Sequence, residues 1–181
     1  MSEAGRYFRA SMDQRLRNLT RIFSAVVVGG SLAAALPMTT MKGDCSECCS
    51  AAAANFGGWA ILVAGAALLW SAWALAPRGF VVGPGLVTVD RPLMPVKIIL
   101  RPGTGVSAEG PGLLDGSLRT MGNGGLFGYY GNFWKKGVGN YLLYATRSDR
   151  FVMIDNGKKY FLTPDEPESF IEEVGRRIPG A

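Results

Sequence analysis

Two unbroken apolar runs dominate the first half of the chain. Residues 22–38 (IFSAVVVGGSLAAALPM) and 56–76 (FGGWAILVAGAALLWSAWALA) contain no charged residue. A helix rises 1.5 Å per residue, so about 20 apolar residues cross a hydrocarbon core of about 30 Å. The second run reaches that length, and the first reaches it once Thr39–Met41 are included. Together they predict a transmembrane helical hairpin over about 22–41 and 56–76, joined by a loop over 42–55. Gly29 with Ala33, Gly30 with Ala34 and Ala60 with Ala64 place small residues four apart, a spacing that lets helix backbones approach closely in lipid. Trp59, Trp70 and Trp73 fall near the ends of the second run, where interfacial aromatic anchors sit.

From Gly79 onward the pattern changes to short apolar runs separated by turn residues. GFVVG (79–83) and LVTVD (86–90) flank Pro84-Gly85, a turn pair between β-branched runs. VKIIL (96–100), 118–121, YLLYAT (141–146), FVMID (151–155) and 160–163 complete a set of about seven predicted strands. Asn156-Gly157 is the turn of a tight hairpin. The segment 101–112 reads as a polar, glycine-rich connection. The chain ends in a predicted helix, with Asp165 placed to cap it and Glu168 to close a capping box. Phe170, Ile171, Val174 and Ile178 share one face of that helix, while Glu172, Glu173, Arg176 and Arg177 fall elsewhere. An antiparallel barrel or sandwich of about seven strands, closed by a C-terminal capping helix, is the outline of a pleckstrin-homology-like fold. The fold class is therefore α+β, with a membrane hairpin ahead of a β-rich domain over 79–181.

Charge sets the expected orientation. The 181-residue chain carries a net charge of +5. Arg6, Arg9, Arg15, Arg17 and Arg21 precede the first apolar run, and Arg78, Arg91 and Lys97 follow the second. Lysine and arginine stay on the cytoplasmic side, so both termini are expected in the cytoplasm of a multi-pass inner-membrane protein, with the 42–55 loop outside. A cleaved signal peptide ending near Ala33–Ala35 is the rival reading, but the charged region before the apolar core is long for one. The basic segment 1–21, with Tyr7, Phe8, Met12, Leu16 and Leu19 interleaved, suits either a helix lying on the inner surface or a tail that only sets topology. No basic recognition helix or zinc spacing supports nucleic-acid binding.

The chain contains no histidine, which removes the commonest general base and most metal sites. Cys45, Cys48 and Cys49 cluster in the expected external loop, where one disulfide could form and leave an odd thiol. Their spacing matches no zinc pattern, so neither a metal nor a cofactor is expected.

The segments GLFGYYG (125–131), YAT (144–146) and TPDEPESF (163–170), within 118–178, resemble a bacterial PH-like domain family. GFVVGPGLVTVDRPLMPVKIIL (79–100) is similar to the opening strands of such domains. The resemblance implies the fold, a membrane hairpin ahead of it and a role in assembly or membrane-associated interaction. It implies no enzymatic activity and supplies no catalytic residues.

The most unusual composition lies in 122–139. Phe127, Tyr129, Tyr130, Phe133, Trp134, Lys135 and Lys136 are set among glycines there, and form a candidate loop for a membrane interface or a partner. The alternative is that several of these aromatics fill the core. Phosphoinositide binding would call for basic residues in the first hairpin, which here is VVGPGLV. Lys135, Lys136, Arg147, Arg150, Lys158 and Lys159 are candidates for another basic face. The expected function is a non-enzymatic membrane-anchored interaction module, an accessory or scaffold subunit working with the bilayer and with itself or other membrane proteins. Peripheral sensing of anionic lipid is the alternative. An enzyme using Asp115, Asp149 or Asp155 has no paired carboxylates at a suggestive spacing.

Overall fold

The computed structural model describes residues 5–35 and 48–180, without the side chains of 31, 33–35 and 48–58. Strand β1 (Arg6–Arg9) comes first, followed by helices α1 (Gln14–Ala35) and α2 (Cys48–Ala74). Strands β2 (Gly79–Gly83), β3 (Leu86–Asp90), β4 (Val96–Ile99) and β5 (Gly105–Glu109) come next. They are followed by β6 (Leu118–Gly124), β7 (Tyr129–Lys135), β8 (Gly139–Ala145), β9 (Phe151–Asp155) and β10 (Lys159–Leu162). Helix α3 (Pro167–Arg177) closes the fold.

The strands form two sheets, ordered β1-β2-β3-β4 and β5-β9-β10-β8-β7-β6. All pairs are antiparallel except β10 with β8. Phe80, Val82, Val87, Val89 and Ile98 from the first sheet meet Tyr144, Val152, Ile154 and Leu162 from the second in one buried core. Phe170 and Val174 of α3 close that core, the Phe170 ring lying 5.1 Å edge-on to Phe8 and 5.8 Å from Phe80. The opposite face of the second sheet is buried as well, with Phe133, Tyr141, Leu143, Phe151 and Phe161 gathered around Leu113. Burial on both faces explains why YLLYA in β8 is apolar at consecutive positions instead of alternating.

The expected strands all form, and three further ones join them. β5 lies in the stretch read as a connection, and β7 runs through the middle of the candidate aromatic loop. β1 is the largest departure. Arg6–Arg9 was read as part of a basic segment, yet it pairs with Val82–Gly79 on the far side of both helices. Four residues whose partners lie 70 to 76 positions away carry no local signal, because the pairing is tertiary. The barrel therefore starts before the helices, and the helix pair is an insertion between its first two strands.

Helix α1 also begins earlier than the apolar run, at Gln14, and includes Arg15, Arg17 and Arg21. Among the described residues no helix is long and apolar enough to cross a membrane. The described side chains of α2 begin only at Trp59, and those of α1 open with charged turns. The two helices pack along one another. Nothing described lies within 4 Å of a Cβ placed at Gly29 or Gly30, so the close approach expected there has no counterpart among the described residues. Residues 36–47, which are the end of the first expected span and the 42–47 part of the expected loop with Cys45, lie outside the described residues; Cys48 and Cys49 enter only as backbone at the start of α2.

The predicted cap of α3 is not made. The N-cap position is Glu166 without a side-chain hydrogen bond, and Pro167 opens the helix. Asp165 Oδ1 instead accepts hydrogen bonds from the Ser11 amide (2.9 Å) and hydroxyl (2.7 Å), while its own amide donates to Arg9 O (2.9 Å). Glu173, placed by periodicity on the polar side of α3, is buried and faces Arg177 (3.1 Å), Arg176 (3.5 Å) and Arg6 of β1 (3.9 Å).

Candidate functional site

The last four carbonyls of a helix have no partner inside it and must find one elsewhere. In α2 all four are met, and the barrel supplies half of the donors. Ser71 O accepts from the Leu75 amide and Trp73 O from the Ala76 amide. Ala72 O accepts from the Tyr130 hydroxyl of β7 at 2.9 Å, and Ala74 O from the Leu93 amide in the β3–β4 loop at 2.9 Å. The helix ends without a glycine cap because the β-domain caps it.

The start of α1 is fixed to the same end of the barrel. Asp13 is its N-cap, with Oδ1 accepting from the Leu16 amide at 2.7 Å. The Asp13 amide donates to Thr146 O, and Ser148 Oγ donates to Asp13 Oδ2. One turn further on, the Phe127 amide donates to Thr20 Oγ1 at 3.1 Å. Leu16 and Thr20 are buried, and so are Ala72, Ala74 and Ala76. Thr146 ties this corner together, its hydroxyl donating to Ser11 O and its amide to Thr163 Oγ1.

Beyond this junction the helices change character. Ile22, Phe23, Val26, Val28 and Leu32 of α1 are exposed, as are Trp59, Ile61, Val63, Leu68 and Trp70 of α2. Apolar patches of that extent are uncommon on surfaces that face only water. At its border Arg78 stacks over the Trp73 ring at 4.6 Å, and Arg91 over Tyr144 at 5.4 Å.

The seven candidate residues of 127–136 do not form one exposed loop. Tyr130 and Phe133 are buried in the two cores, and Phe127 and Tyr129 pack against them. Burial raises the Tyr130 phenol pKa, against smaller lowering effects of the Asn123 hydrogen bond and the Arg91 charge. Lys135 Nζ is turned inward to the carbonyls of Gly112 (2.5 Å) and Leu113 (3.2 Å). Trp134 and Lys136 are exposed. Trp134 pairs with exposed Leu118 across β7 and β6, close to exposed Met121. β6 is the free edge of its sheet, bulged between Arg119 and Met121. Gly122 and Gly131 face each other in this pair, and a Cβ on either would lie about 2 Å from a backbone oxygen of the other strand.

The expected basic face is divided. Arg147 and Arg150 sit by Asp149 in the β8–β9 loop, at the helix end. The hydrogen bond from Arg147 holds the Asp149 carboxyl below its usual pKa. Lys158 and Lys159 lie at the opposite end, in and after the β9–β10 turn. Asn156 Nδ2 links that turn to Ile99 O, and Lys159 Nζ links it to Val138 O in the β7–β8 turn beside Lys136. Seven residues of β8 separate the two sets, about 20 Å at strand rise. A cavity of about 290 Å³ at this far end is lined by Lys97, Arg101, Lys158 and the Asn156-Gly157 turn. Asp115, Asp149 and Asp155 do not converge, and among the described residues no three His, Cys, Asp or Glu side chains are grouped to hold a metal.

No curated protein and no solved structure matches the chain. The family model described as "Bacterial PH domain" matches residues 87–178, from β3 of the first sheet to the residue after α3. With two sheets, a C-terminal helix closing their shared core and this match over half its length, the chain belongs to the bacterial PH domain family.

Proposed function

We propose that this protein is a non-enzymatic, membrane-anchored interaction module, in which a helix pair holds a PH-like barrel at the surface of the inner membrane. The observation that carries the reading is the abrupt change at the junction. Leu16 and Thr20 of α1, and Ala72, Ala74 and Ala76 at and just past the end of α2, are buried against the β-domain, while Ile22, Phe23, Val26, Leu68 and Trp70 further along the helices are bare. The apolar run 22–38 extends past the residues described, 56–76 is free of charge throughout, and together they suit a hydrocarbon layer. The arginines of the first turns of α1, with Arg78 and Arg91, would lie at the level of lipid headgroups on the cytoplasmic side.

The partner-facing surface in this reading is the β6 edge. Among the described residues its backbone is unpaired on one side, and Leu118, Met121 and Trp134 are exposed on or beside it. Such an edge accepts a strand from a second copy or from another membrane protein. Peripheral lipid sensing is the weaker reading, because Lys136, Lys158 and Lys159 lie at the pole away from the helices.

The test is extraction of full-length protein from its native membrane with alkaline carbonate, then gentle detergent purification and mass determination of the intact assembly. Retention in the pellet and a defined oligomer or a stoichiometric second protein are expected. Release by carbonate would overturn the anchor, and a lone monomer would overturn the assembly role.

A further inference from the structure

We propose that the β3–β4 loop, Arg91–Pro95, is a second and rigid contact with lipid: a wedge whose Leu93 and Met94 side chains enter the interfacial layer of the bilayer beside α2. This rests on the membrane-anchored reading above and adds to it a contact made by the barrel itself.

Position comes first. The Leu93 amide donates to Ala74 O, so the loop lies level with the last turn of α2. Its neighbour there is Trp73, an exposed ring that carries the Arg78 guanidinium on its face. The exposed apolar side chains of the loop therefore lie at the level of the last turn of α2, with the Arg78 guanidinium beside them. Leu93 is 44% exposed and Met94 68%, and neither serves the core.

Rigidity is the second observation. Pro92 and Pro95 bracket the two residues and fix their own φ angles. Met94 has φ 58°, in the left-handed region that residues with a side chain rarely enter. Arg91 holds it there, donating from Nε (3.1 Å) and Nη2 (2.6 Å) to Met94 O, while its guanidinium rests on the buried Tyr144 ring. An unfavourable conformation held by this many contacts, at the tip of a loop that points apolar groups outward, is a prepared surface. Arg78 and Arg91 flank it with positive charge, as suits anionic headgroups. A bilayer fits this combination of apolar tip, cationic rim and helix level better than a protein groove does.

The experiment uses the full-length chain with Cys45, Cys48 and Cys49 replaced by serine and a single nitroxide label at Met94→Cys, reconstituted in vesicles of mixed zwitterionic and anionic phospholipid. Collision with oxygen is compared with collision with a water-soluble nickel chelate. At position 94 oxygen is expected to dominate several-fold, whereas a label at Lys136→Cys on the far pole should favour nickel. Leu93→Cys is the second position and should agree with 94. Nickel access at both 93 and 94, or access to neither reagent, overturns the wedge, the latter pointing to a protein partner. Carbonate pelleting of the same vesicles separates the two readings. Labels open to nickel on a retained protein remove only the wedge, and loss from the pellet removes the anchor with it.

Discussion

The hydroxyl of Tyr130 donates a 2.9 Å hydrogen bond to the carbonyl of Ala72, tying the inner strand of the β6–β7 edge hairpin to the last turn of a helix 58 positions away in sequence. The same oxygen accepts from Asn123 Nδ2 at 3.0 Å, so β6, β7 and α2 share one buried atom. Tyr130→Phe keeps the ring and removes both bonds. It leaves a buried helix carbonyl unmet, and the expected loss is about 1–2 kcal/mol. Thermal unfolding of the purified full-length protein should register it as a fall of several degrees. An unchanged midpoint would mean that water replaces the phenol and that the junction is looser than its geometry.

Asp165 holds the exit of β1 by accepting from both the amide and the hydroxyl of Ser11. Asp165→Ala is expected to free residues 6–11 from the sheet, at a cost of about 1–3 kcal/mol for charge-assisted bonds. Amide hydrogen exchange should rise in that segment and leave the β8–β10 ladder protected. Asp165→Asn, which keeps one acceptor oxygen, should restore part of the protection.

Glu173 and Glu172 both meet Arg176, but only Glu173 is buried. Glu172→Ala breaks an exposed i,i+4 pair and should cost less than about 1 kcal/mol. Glu173→Ala removes a carboxylate shared by Arg6, Arg176 and Arg177, and should cost distinctly more. Denaturant midpoints of the two variants give the comparison directly, and equal effects would show that burial of Glu173 contributes nothing.

The Arg147–Asp149 pair predicts a mild acid sensitivity. Asp149 is held below its ordinary value of 3.8, chiefly by the hydrogen bond from Arg147. Its contribution to stability is therefore fully present above that value and is lost as pH falls through the lower folded value. The pair is half exposed, so the amount is below about 1 kcal/mol. Asp149→Asn should flatten the stability curve below pH 4 and leave its shape above pH 5 unchanged. Altered pH dependence above pH 5 would count against the assignment.

How much was legible follows from the range of each interaction. The Phe170 and Val174 stripe of α3 announces itself through helical spacing, and Pro84-Gly85 through turn chemistry, since both signals lie within a few residues. Strand β7 was obscured by Gly128 and Gly131, which read as loop. Gly131 is there because it faces Gly122 too closely for any Cβ, a reason that exists only once the strands are paired. Asp165 satisfied the spacing of a capping box with Glu168, yet its oxygen is taken by Ser11 at the other end of the chain. The junction was illegible for the same cause. Nothing near Ala72 or Ala74 in the sequence says that Tyr130 and Leu93 will cap them. The aromatic cluster of 127–136 stands out by composition, and the structure divides it between two cores, a helix contact and one exposed tryptophan.

Because β1 precedes the helices and its partner β2 follows them, β1 leaves the ribosome long before anything it can pair with. Residues 6–9 must wait until residues 79–83 have been made, and by then both helices have already emerged. Formation of the β1–β2 pair thus closes the helix pair into the fold as an excursion between two bonded strands. A chain whose helices go astray carries an open edge on β2, which is the kind of exposed strand that quality-control machinery and aggregation both find first.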